Sequence, residues 1–371
     1  CDDDEVTATS FAIAENRLPE LSEWISADLL STLDALRAED ALDDALGWAS
    51  EELDRLRAEV AKDQARGEDF DVEEAMAQAE EDAPELICRV KRGQMWGCGQ
   101  HRVMCGDCRD LEDMAPLMAG VKLNGVFTSP PYAEQRKEQY GGVPVAEYVE
   151  WWEAVQANVR AHLAEEGSFF VNIKPHCENG ERVLYVIDLV LAMKRRWGWR
   201  YVDELCWLHE DLPGAWPNRF RNGFEPVFHF SRNGTVRFRP MQVAHPSASV
   251  PDGSGGLQKT AGGNWTLDAP LRDGMAQPSN TLRLGGNTDS VRHAAAFPTA
   301  LPEFFLLAYS DPADTWLDPF LGSGTTMIAA EKTGRVCMGM EIEPRYVSVS
   351  LARFEAYTGS QAILLEEAPG G

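Results

Sequence analysis

A glycine-rich segment between an apolar strand and a helix is the feature that most constrains the fold of this 371-residue chain. The segment runs from Asp318 to Thr326, reads DPFLGSGTT, and separates a predicted strand at 315–317 from a predicted helix at 325–332. Another strand is predicted at 336–342, directly after that helix. A strand, a helix and a strand in this order make a βαβ unit, whose two strands are parallel and share one sheet. The segment therefore predicts an α/β fold.

The same βαβ unit has the features of a nucleoside-binding site. Gly322 and Gly324 let a ligand approach the backbone, and the helix that begins near Thr325 offers free amide groups at its N-terminus. Glu341 stands near the end of the next strand, where an acid can bind both hydroxyls of a ribose. Packing glycines and a surface glutamate are the alternative, but the two features together favour nucleoside binding.

Apolar periodicity after residue 89 alternates between strands and helices, which predicts a sheet flanked by helices. Strands are predicted at 94–96, 102–105, 124–128, 167–173, 201–207 and 226–230, and helices at 148–163, 183–197 and 346–357. Residues 209–290 interrupt this alternation, because they are rich in Gly, Pro, Asn, Ser and Arg and have few regular periods.

The first 90 residues differ from the rest in charge and pattern. They contain 27 acidic and 7 basic residues, a net charge of −20 out of −26 for the chain. Leu21, Trp24, Ile25 and Leu29 recur at helical spacing, which predicts an amphipathic helix. We interpret this region as a helical appendage with a solvated acidic face, in preference to a partner-docking arm or a DNA mimic. The remaining net charge of −6 leaves room for a local basic groove.

Cysteine spacing and hydropathy bear on metals and location. Four of the eight cysteines, Cys88, Cys98, Cys105 and Cys108, lie close together in the sequence. Their spacing does not make two Cys-x-x-Cys zinc knuckles. We therefore expect reduced thiols and do not expect a metal site. The chain has no stretch of eighteen apolar residues, and its first residues do not resemble a signal peptide. A cytoplasmic protein is therefore expected.

A second motif, Ser129-Pro130-Pro131-Tyr132, follows the predicted strand at 124–128. Proline lacks an amide hydrogen and fixes the backbone, so the motif presents carbonyl oxygens. A Ser hydroxyl and a Pro carbonyl can accept hydrogen bonds from an exocyclic amine, and Tyr132 can stack on a base turned out of a duplex. Such acceptors offset the positive charge that develops as the amine gains a methyl group. Taken alone, the motif is better explained as a proline-stiffened turn.

Together the two motifs resemble the catalytic and cofactor motifs of DNA amino-methyltransferases. The catalytic motif precedes the glycine loop, an order that resembles the circularly permuted beta group of these enzymes. The resemblance covers about 91–357, and the set of motifs in this order is highly specific. Further segments that resemble family motifs are Cys105-Gly106-Asp107, 225–231, and His293 with Phe297-Pro298.

The resemblance implies a circularly permuted class I S-adenosylmethionine-dependent methyltransferase fold with a helical N-terminal appendage. The implied regions are the acidic helical appendage at 1–90, a catalytic half at 91–208, a target-recognition region at 209–290 and a cofactor-binding half at 291–371. The implied catalytic residues are Ser129, Pro130, Pro131 and Tyr132. The implied cofactor is S-adenosylmethionine, and the residues implied to bind it are Asp107, Phe297, Pro298, Asp318, Phe320, Gly322, Gly324, Thr325 and Glu341.

Within this family, Ser rather than Asp or Asn before Pro-Pro-Tyr implies N4 of cytosine as the methylated atom. N6 of adenine is the alternative, and a non-catalytic DNA-binding or regulatory protein that retains the fold is an alternative of another class. The chain has no Pro-Cys dipeptide, which argues against a C5-cytosine enzyme with a Cys nucleophile. A protein-glutamine methyltransferase is opposed by the motif order, because its cofactor loop comes first.

Double-stranded DNA is the implied partner, with the target base flipped toward Tyr132. Contacts to phosphates or guanine edges are expected from basic residues after the catalytic motif and around 209–290. These residues are Arg136, Lys137, Arg219, Arg221 and Arg232, with Arg237 and Arg239 as further candidates. Residues 15–60 resemble the tail after ParB-like domains in phage and mobile-element methyltransferases. That resemblance implies an upstream domain, with a partner protein at the acidic region as the other possibility. The methyltransferase resemblance implies restriction-modification-like biology in a bacterial or phage-infected cell.

Overall fold

A computed structural model of the chain describes residues 89–133, 142–178, 180–208, 220, 222–246, 275–284 and 297–366. These residues all belong to one compact unit, Asp71–Gly371. The predictions for 1–88, and for the parts of 209–290 that fall between these ranges, lie outside the described residues. None of the helices in the described ranges is long and apolar enough to cross a bilayer.

The described ranges contain short and long strands interleaved with six α-helices. The helices are α1 (Leu111–Met118), α2 (Tyr148–His162), α3 (Tyr185–Arg195), α4 (Ala300–Tyr309), α5 (Thr325–Lys332) and α6 (Pro344–Thr358). The strands are β1 (Met95–Cys98), β2 (His101–Cys105), β3 (Leu123–Thr128), β4 (Leu163–Asn172), β5 (Cys177–Glu178), β6 (Glu181–Arg182), β7 (Arg200–Leu208), β8 (Phe224–Ser231), β9 (His245–Pro246), β10 (Met275–Ala276), β11 (Thr281–Leu282), β12 (Thr315–Asp318), β13 (Val336–Glu341) and β14 (Ile363–Glu366).

Ten of these described strands form one sheet in the order β11-β7-β8-β4-β3-β12-β13-β2-β1-β14. The five central strands, from β4 to β2, are mutually parallel, whereas β8 is antiparallel to both of its neighbours. Strands β12 and β13, from the predicted cofactor half, lie between β3 and β2, from the predicted catalytic half. The two segments of sequence therefore build a single sheet.

Strands β3 and β12 are neighbours at the centre of this sheet, and their onward connections diverge. The chain leaves β3 through α2 toward β4 on one side, and leaves β12 through α5 toward β13 on the other. At such a switch point the loops after the two strands separate and leave a crevice at the carboxyl edge of the sheet, where α/β proteins bind ligands. The two motifs singled out from the sequence both lie at this point.

Helices cover both faces of the sheet, so the fold has three layers, as the sequence predicts. On one face, α1, α2 and α3 pack Met114, Trp152 and Leu189 into an apolar cluster with the central strands. On the opposite face, α4, α5 and α6 contribute Phe305 and Leu351, among others, to a second cluster. Burial of these two clusters is the main source of stability of the domain.

Most predicted element boundaries agree with the structure to within a few residues, but one boundary needed correction, and α1, α4 and β14 were not predicted. Strand β4 begins at Leu163, not at 167, and follows α2 directly. Helix α1 was not predicted, because it is short and contains Pro116. A usable sequence signal was Asp110, whose side chain caps the helix by accepting a hydrogen bond from the amide of Glu112 at 2.8 Å.

Gly125 in β3 is required by close packing, and we expect Gly125→Ala to destabilise the protein by about 1–3 kcal/mol through overpacking. A Cβ atom at this position would lie 2.6 Å from the indole ring of Trp316. That ring is fully buried and donates a hydrogen bond to Ser310 at 2.9 Å, so it has little freedom to move away.

Denaturant-induced unfolding measures this effect. Gly223→Ala is the matched control, because a Cβ at Gly223 would meet nothing within 4 Å. Equal unfolding free energies for the two variants would show that the Trp316 ring yields to the added methyl group.

Candidate active site

Asp318, at the end of β12, ties the two predicted motifs together. Its Oδ1 atom accepts hydrogen bonds from the Thr128 hydroxyl at 2.7 Å and from the Phe320 amide at 3.1 Å. Its Oδ2 atom accepts a hydrogen bond from the Thr326 hydroxyl at 2.6 Å. Burial raises the pKa of Asp318 to about 6, although these hydrogen bonds act in the opposite direction. The side chain therefore holds the end of β3 beside the glycine loop.

The glycine loop wraps around the carboxylate of Glu341. The Gly322 amide donates to Glu341 Oε2 at 2.9 Å, and the Glu343 amide donates to Oε1 at 3.0 Å. Gly322 and Gly324 have φ angles of 55° and 86°, a left-handed conformation that favours glycine. A Cβ atom at Gly322 would meet nothing within 4 Å, so the space beside this residue is open. Burial raises the pKa of Glu341 to about 7.

The side chains of Phe320 and Thr325, both in the glycine-rich segment, lie in different surroundings. The Phe320 ring stacks on Trp151 and Trp152 of α2, with centroid distances of 5.6 and 6.0 Å. Thr325 is buried, and its hydroxyl accepts a hydrogen bond from Arg353 of α6 at 3.0 Å. Phe320 is thus placed along the crevice, while Thr325 fixes α5 to α6.

Asp107 follows β2 at the same edge of the sheet. Its carboxylate accepts hydrogen bonds from the backbone amide and the guanidinium of Arg109, the shortest of them 2.6 Å. Partial burial raises the pKa of Asp107, but the hydrogen bonds and charge of Arg109 outweigh it and hold this pKa below its ordinary value. A cavity of about 450 Å³ adjoins this pair, and its walls include Arg109 and the Trp151 ring that stacks on Phe320.

Phe297 and Pro298 lie before α4, on the other face of the sheet. The Phe297 ring packs edge-on against Phe127 of β3, with centroids 5.3 Å apart. The Pro298 carbonyl accepts a hydrogen bond from the Leu301 amide at 3.0 Å and so begins the helix. His293, the third residue of this predicted motif, lies outside the described residues.

Hydrogen bonds from two tyrosine hydroxyls fix the catalytic motif in place. The Tyr148 hydroxyl donates to the Pro131 carbonyl at 2.8 Å, and Tyr148 is fully buried. The Tyr132 hydroxyl donates to Glu225 Oε2 at 3.1 Å. Pro130 is buried and Ser129 is partly exposed at the crevice. The motif is therefore fixed by its neighbours through Pro131 and Tyr132.

Lys174 and Glu225 were not predicted as site residues, although Glu225 begins one of the resembling segments. Lys174 follows β4, and its ammonium group forms an ion pair with Glu225 Oε1. The same ammonium lies 6.0 Å from the centre of the Tyr132 ring. The sequence carries no signal that brings these two residues together, because β3, β4 and β8 become neighbours only in the folded sheet.

The cysteines near the start of the domain are thiols in the protein interior. Cys98, Cys105 and Cys108 are buried, and Cys88 lies outside the described residues. Burial raises the pKa of both Cys98 and Cys105 to about 12, which keeps them neutral. No cluster of three or more potential metal ligands occurs among the residues that the structure describes.

Comparison with known proteins agrees with this geometry. A family model described as DNA methylase, of the N6/N4 type, matches residues 123–352. The chain belongs to this family. The match begins at β3 and ends in α6, so it includes both the catalytic motif and the glycine loop.

Two curated relatives of this DNA methylase are type II methyltransferases by name. Type II methyltransferase M.PvuII of Proteus hauseri is 28% identical over 278 residues, which cover 67% of this chain and 82% of the relative. Type II methyltransferase M.ScaI of Streptomyces caespitosus is 28% identical over 241 residues, 62% of this chain and 74% of the relative. The predicted family is therefore confirmed.

A solved structure supports the predicted fold. The PvuII DNA methyltransferase, described as cytosine-N4-specific, superposes with a TM-score of 0.54 and 25% identity over 71% of this chain and 90% of its own. The predicted class I methyltransferase fold is confirmed. In this DNA methylase the catalytic motif after β3 precedes the glycine loop after β12, which is the predicted permuted order.

The predicted DNA-contacting arginines do not all lie near the crevice. Arg232 follows β8, donates to the Leu163 carbonyl at 2.7 Å and pairs with Glu165. Because β8 is antiparallel to β4, this places Arg232 at the opposite edge of the sheet from Ser129. The structure therefore does not bring Arg232 together with the catalytic motif.

Arg237 and Arg239 form ion pairs with Asp311, and Arg237 also pairs with Asp314 just before β12. This network lies at the amino end of β12, away from the crevice. The other predicted contacts, Arg136, Lys137, Arg219 and Arg221, lie outside the described residues.

Proposed function

We propose that this DNA methylase transfers the methyl group of S-adenosylmethionine to the exocyclic N4 of cytosine in double-stranded DNA. The observation that carries the proposal is the hydrogen bond between Thr128 and Asp318 at 2.7 Å, which holds Ser129 beside the glycine loop. In this proposal Ser129 binds the target amine and the glycine loop binds the nucleoside part of the cofactor, and both lie in the same crevice.

The residues of the loop fit an adenosine-containing cofactor. A carboxylate offers about four lone-pair sites, and the Gly322 and Glu343 amides occupy one on each oxygen of Glu341. A backbone hydrogen bond from Ile342 takes up further capacity, and the acceptor capacity that remains is available to a ribose hydroxyl. The open space beside Gly322 admits the ligand, and the cavity next to Asp107 lies where the resemblance assigns the adenine. When bound, S-adenosylmethionine supplies an electrophilic methyl group on a positively charged sulfur.

Ser129 and the Pro130 carbonyl bind the target amine in this proposal. The lone pair of an exocyclic amine is delocalised into the base, so the amine is a poor nucleophile. Hydrogen-bond acceptors on its two hydrogens favour a tetrahedral nitrogen and offset the positive charge that develops there. The enzyme forms no covalent intermediate with the base. Tyr132 faces the flipped base, because it lies next to Ser129 at the crevice.

The choice of cytosine rests on Ser129 and on the relatives. Ser before Pro-Pro-Tyr is the form that the family resemblance associates with N4 of cytosine, and the superposed PvuII enzyme is described as cytosine-N4-specific. The regions 1–90, 91–208, 209–290 and 291–371 keep their proposed roles as appendage, catalytic half, target-recognition region and cofactor-binding half. A cytoplasmic location in a bacterial or phage-infected cell, and a partner for the acidic region, remain predictions.

Product analysis tests the proposal. Unmethylated double-stranded DNA is incubated with the protein and methyl-labelled cofactor, digested to nucleosides and separated by chromatography with mass detection. We expect label in N4-methylcytosine. Label in N6-methyladenine alone would overturn the base assignment, and DNA binding without any transfer would favour the non-catalytic alternative. DNA incubated without protein is the control.

A further inference from the structure

The side chain of Arg109 covers the carboxylate of Asp107 beside the cavity described above. The backbone amide and the Nε atom of Arg109 both donate to Asp107 Oδ1 at 2.9 Å. The Nε and Nη2 atoms donate to Oδ2 at 3.1 and 2.6 Å. A carboxylate offers about four acceptor positions, and these contacts fill them. In this conformation Asp107 therefore has no acceptor position left for a ligand.

This arrangement conflicts with the role that Asp107 has in the proposed function. The resemblance assigns Asp107 to the adenine of the cofactor, and adenine presents an exocyclic amine that donates hydrogen bonds. The amine needs at least one acceptor position on the carboxylate. Adenine can therefore bind Asp107 only when Arg109 gives up part of its contact.

Backbone contacts orient Asp107 independently of the Arg109 guanidinium. The Asp107 amide donates to Asp113 Oδ2 at 2.7 Å, and the next carbonyl, of Cys108, accepts from the Asn158 side chain at 2.8 Å. The Arg109 amide keeps its own hydrogen bond to Oδ1 wherever the side chain turns. Departure of the guanidinium would thus free Asp107 Oδ2 and leave the carboxylate in place.

The guanidinium also has room to leave. The Arg109 side chain is 40% exposed, whereas that of Asp107 is 14% exposed. Glu147 and Glu150 line the same cavity as Arg109, so a displaced cation meets solvent and acidic groups. A partly exposed ion pair contributes little to stability, so a ligand can compete with it.

We propose that Arg109 is a displaceable cover of the adenine site. Its guanidinium competes with the adenine amine of the cofactor for Asp107, and cofactor binding turns the side chain away from Oδ2. Arg109 thereby lowers the affinity for the cofactor. This inference rests on the proposed function, and it adds a residue that lies outside the motif segment Cys105-Gly106-Asp107.

A supporting role for Arg109 is the main alternative. In that role the guanidinium would hold Asp107 in its binding position, and its removal would weaken cofactor binding. A cover has the opposite effect, because its removal exposes an acceptor that is already oriented. The two roles therefore differ in the sign of the change in affinity, which a binding measurement reports without any methyl transfer.

Arg109→Met is the central variant, because it removes the guanidinium donors and keeps an unbranched side chain. We expect the dissociation constant of S-adenosylmethionine, measured by equilibrium dialysis with labelled cofactor, to fall by about fivefold, the effect of losing one partly exposed ion pair. Arg109→Lys, which keeps the charge without the fork of donors, should give a smaller decrease. The unfolding temperature of each variant reports whether the fold is retained.

Arg239→Met is the matched control. Arg239 donates to Asp311 through Nε at 2.7 Å and Nη2 at 2.8 Å, which is the same forked geometry at similar exposure. This pair lies at the amino end of β12, away from the crevice, so the variant should leave the dissociation constant unchanged.

A double-mutant cycle with Asp107→Ala identifies the residue through which Arg109 acts. Arg109→Met should tighten cofactor binding when Asp107 is present and have no effect in the Asp107→Ala background. Weaker or unchanged binding by Arg109→Met alone would overturn the cover, and so would an equal gain in both backgrounds. An unaltered protein that binds no S-adenosylmethionine would instead contradict the proposed function, so the two failures are distinguishable.

Discussion

Ser129→Ala is expected to lower kcat for DNA methylation by about 100-fold or more, while cofactor affinity stays near that of the unaltered protein. The size follows from the loss of one preorganised group that stabilises charge in the transition state. Cofactor affinity survives because Ser129 has no contact with the Asp318 and Glu341 carboxylates that hold the glycine loop. Those contacts come from Thr128, Thr326 and backbone amides.

Single-turnover transfer of labelled methyl groups measures the first quantity, and calorimetric titration with S-adenosylmethionine measures the second. The unfolding temperature of the variant serves as the control for folding, since Ser129 is partly exposed and its truncation leaves no large cavity. A parallel loss of cofactor affinity would mean that Ser129 belongs to the cofactor site. An unchanged kcat would remove it from the catalytic machinery.

The fold and the pairing of the two motifs were predictable because parallel sheets follow simple rules. Alternating strands and helices require both motifs to follow strands whose carboxyl ends share one edge. The sequence does not reveal which strands are neighbours. That β12 lies directly beside β3 is a property of the folded sheet, and it allows Thr128 to reach Asp318 across 190 positions of sequence.

The ion pair between Lys174 and Glu225 was not predictable from the sequence, for the same physical reason. Lys174 and Glu225 are 51 positions apart and meet only because β8 runs antiparallel beside β4. Strand direction also explains why Arg232 lies away from the catalytic motif. It follows Glu225 by seven positions along β8, and this distance carries it to the other edge of the sheet. The sequence shows that arginines are present as candidate DNA contacts. It does not show at which edge of the sheet each arginine lies, because that depends on strand pairing.

Glu341, which binds the cofactor in our proposal, is buried, and we expect this burial to make cofactor binding dependent on pH. Burial raises the pKa of Glu341 to about 7 in the free protein, so its carboxyl is largely protonated below that pH. A protonated carboxyl has lost acceptor capacity and presents a donor in its place. The ribose hydroxyls bind the ionised form in our proposal, so cofactor binding must release the proton.

We therefore expect the affinity for S-adenosylmethionine to rise as the pH increases through about 7 and to level off above it. Below this pKa the dissociation constant should increase by up to about tenfold for each pH unit, the limit for release of one proton. Glu341→Gln should weaken binding by roughly 10- to 100-fold above pH 7 and abolish this dependence, because charge-assisted hydrogen bonds are lost and no proton remains to be released. Equilibrium dialysis between about pH 5.5 and 8.5 measures both effects.

Glu343→Gln is the matched control, since its carboxylate caps α6 by accepting from the Arg345 amide, and it should keep the wild-type profile. A flat profile for the unaltered protein would show that the cofactor binds without deprotonating Glu341.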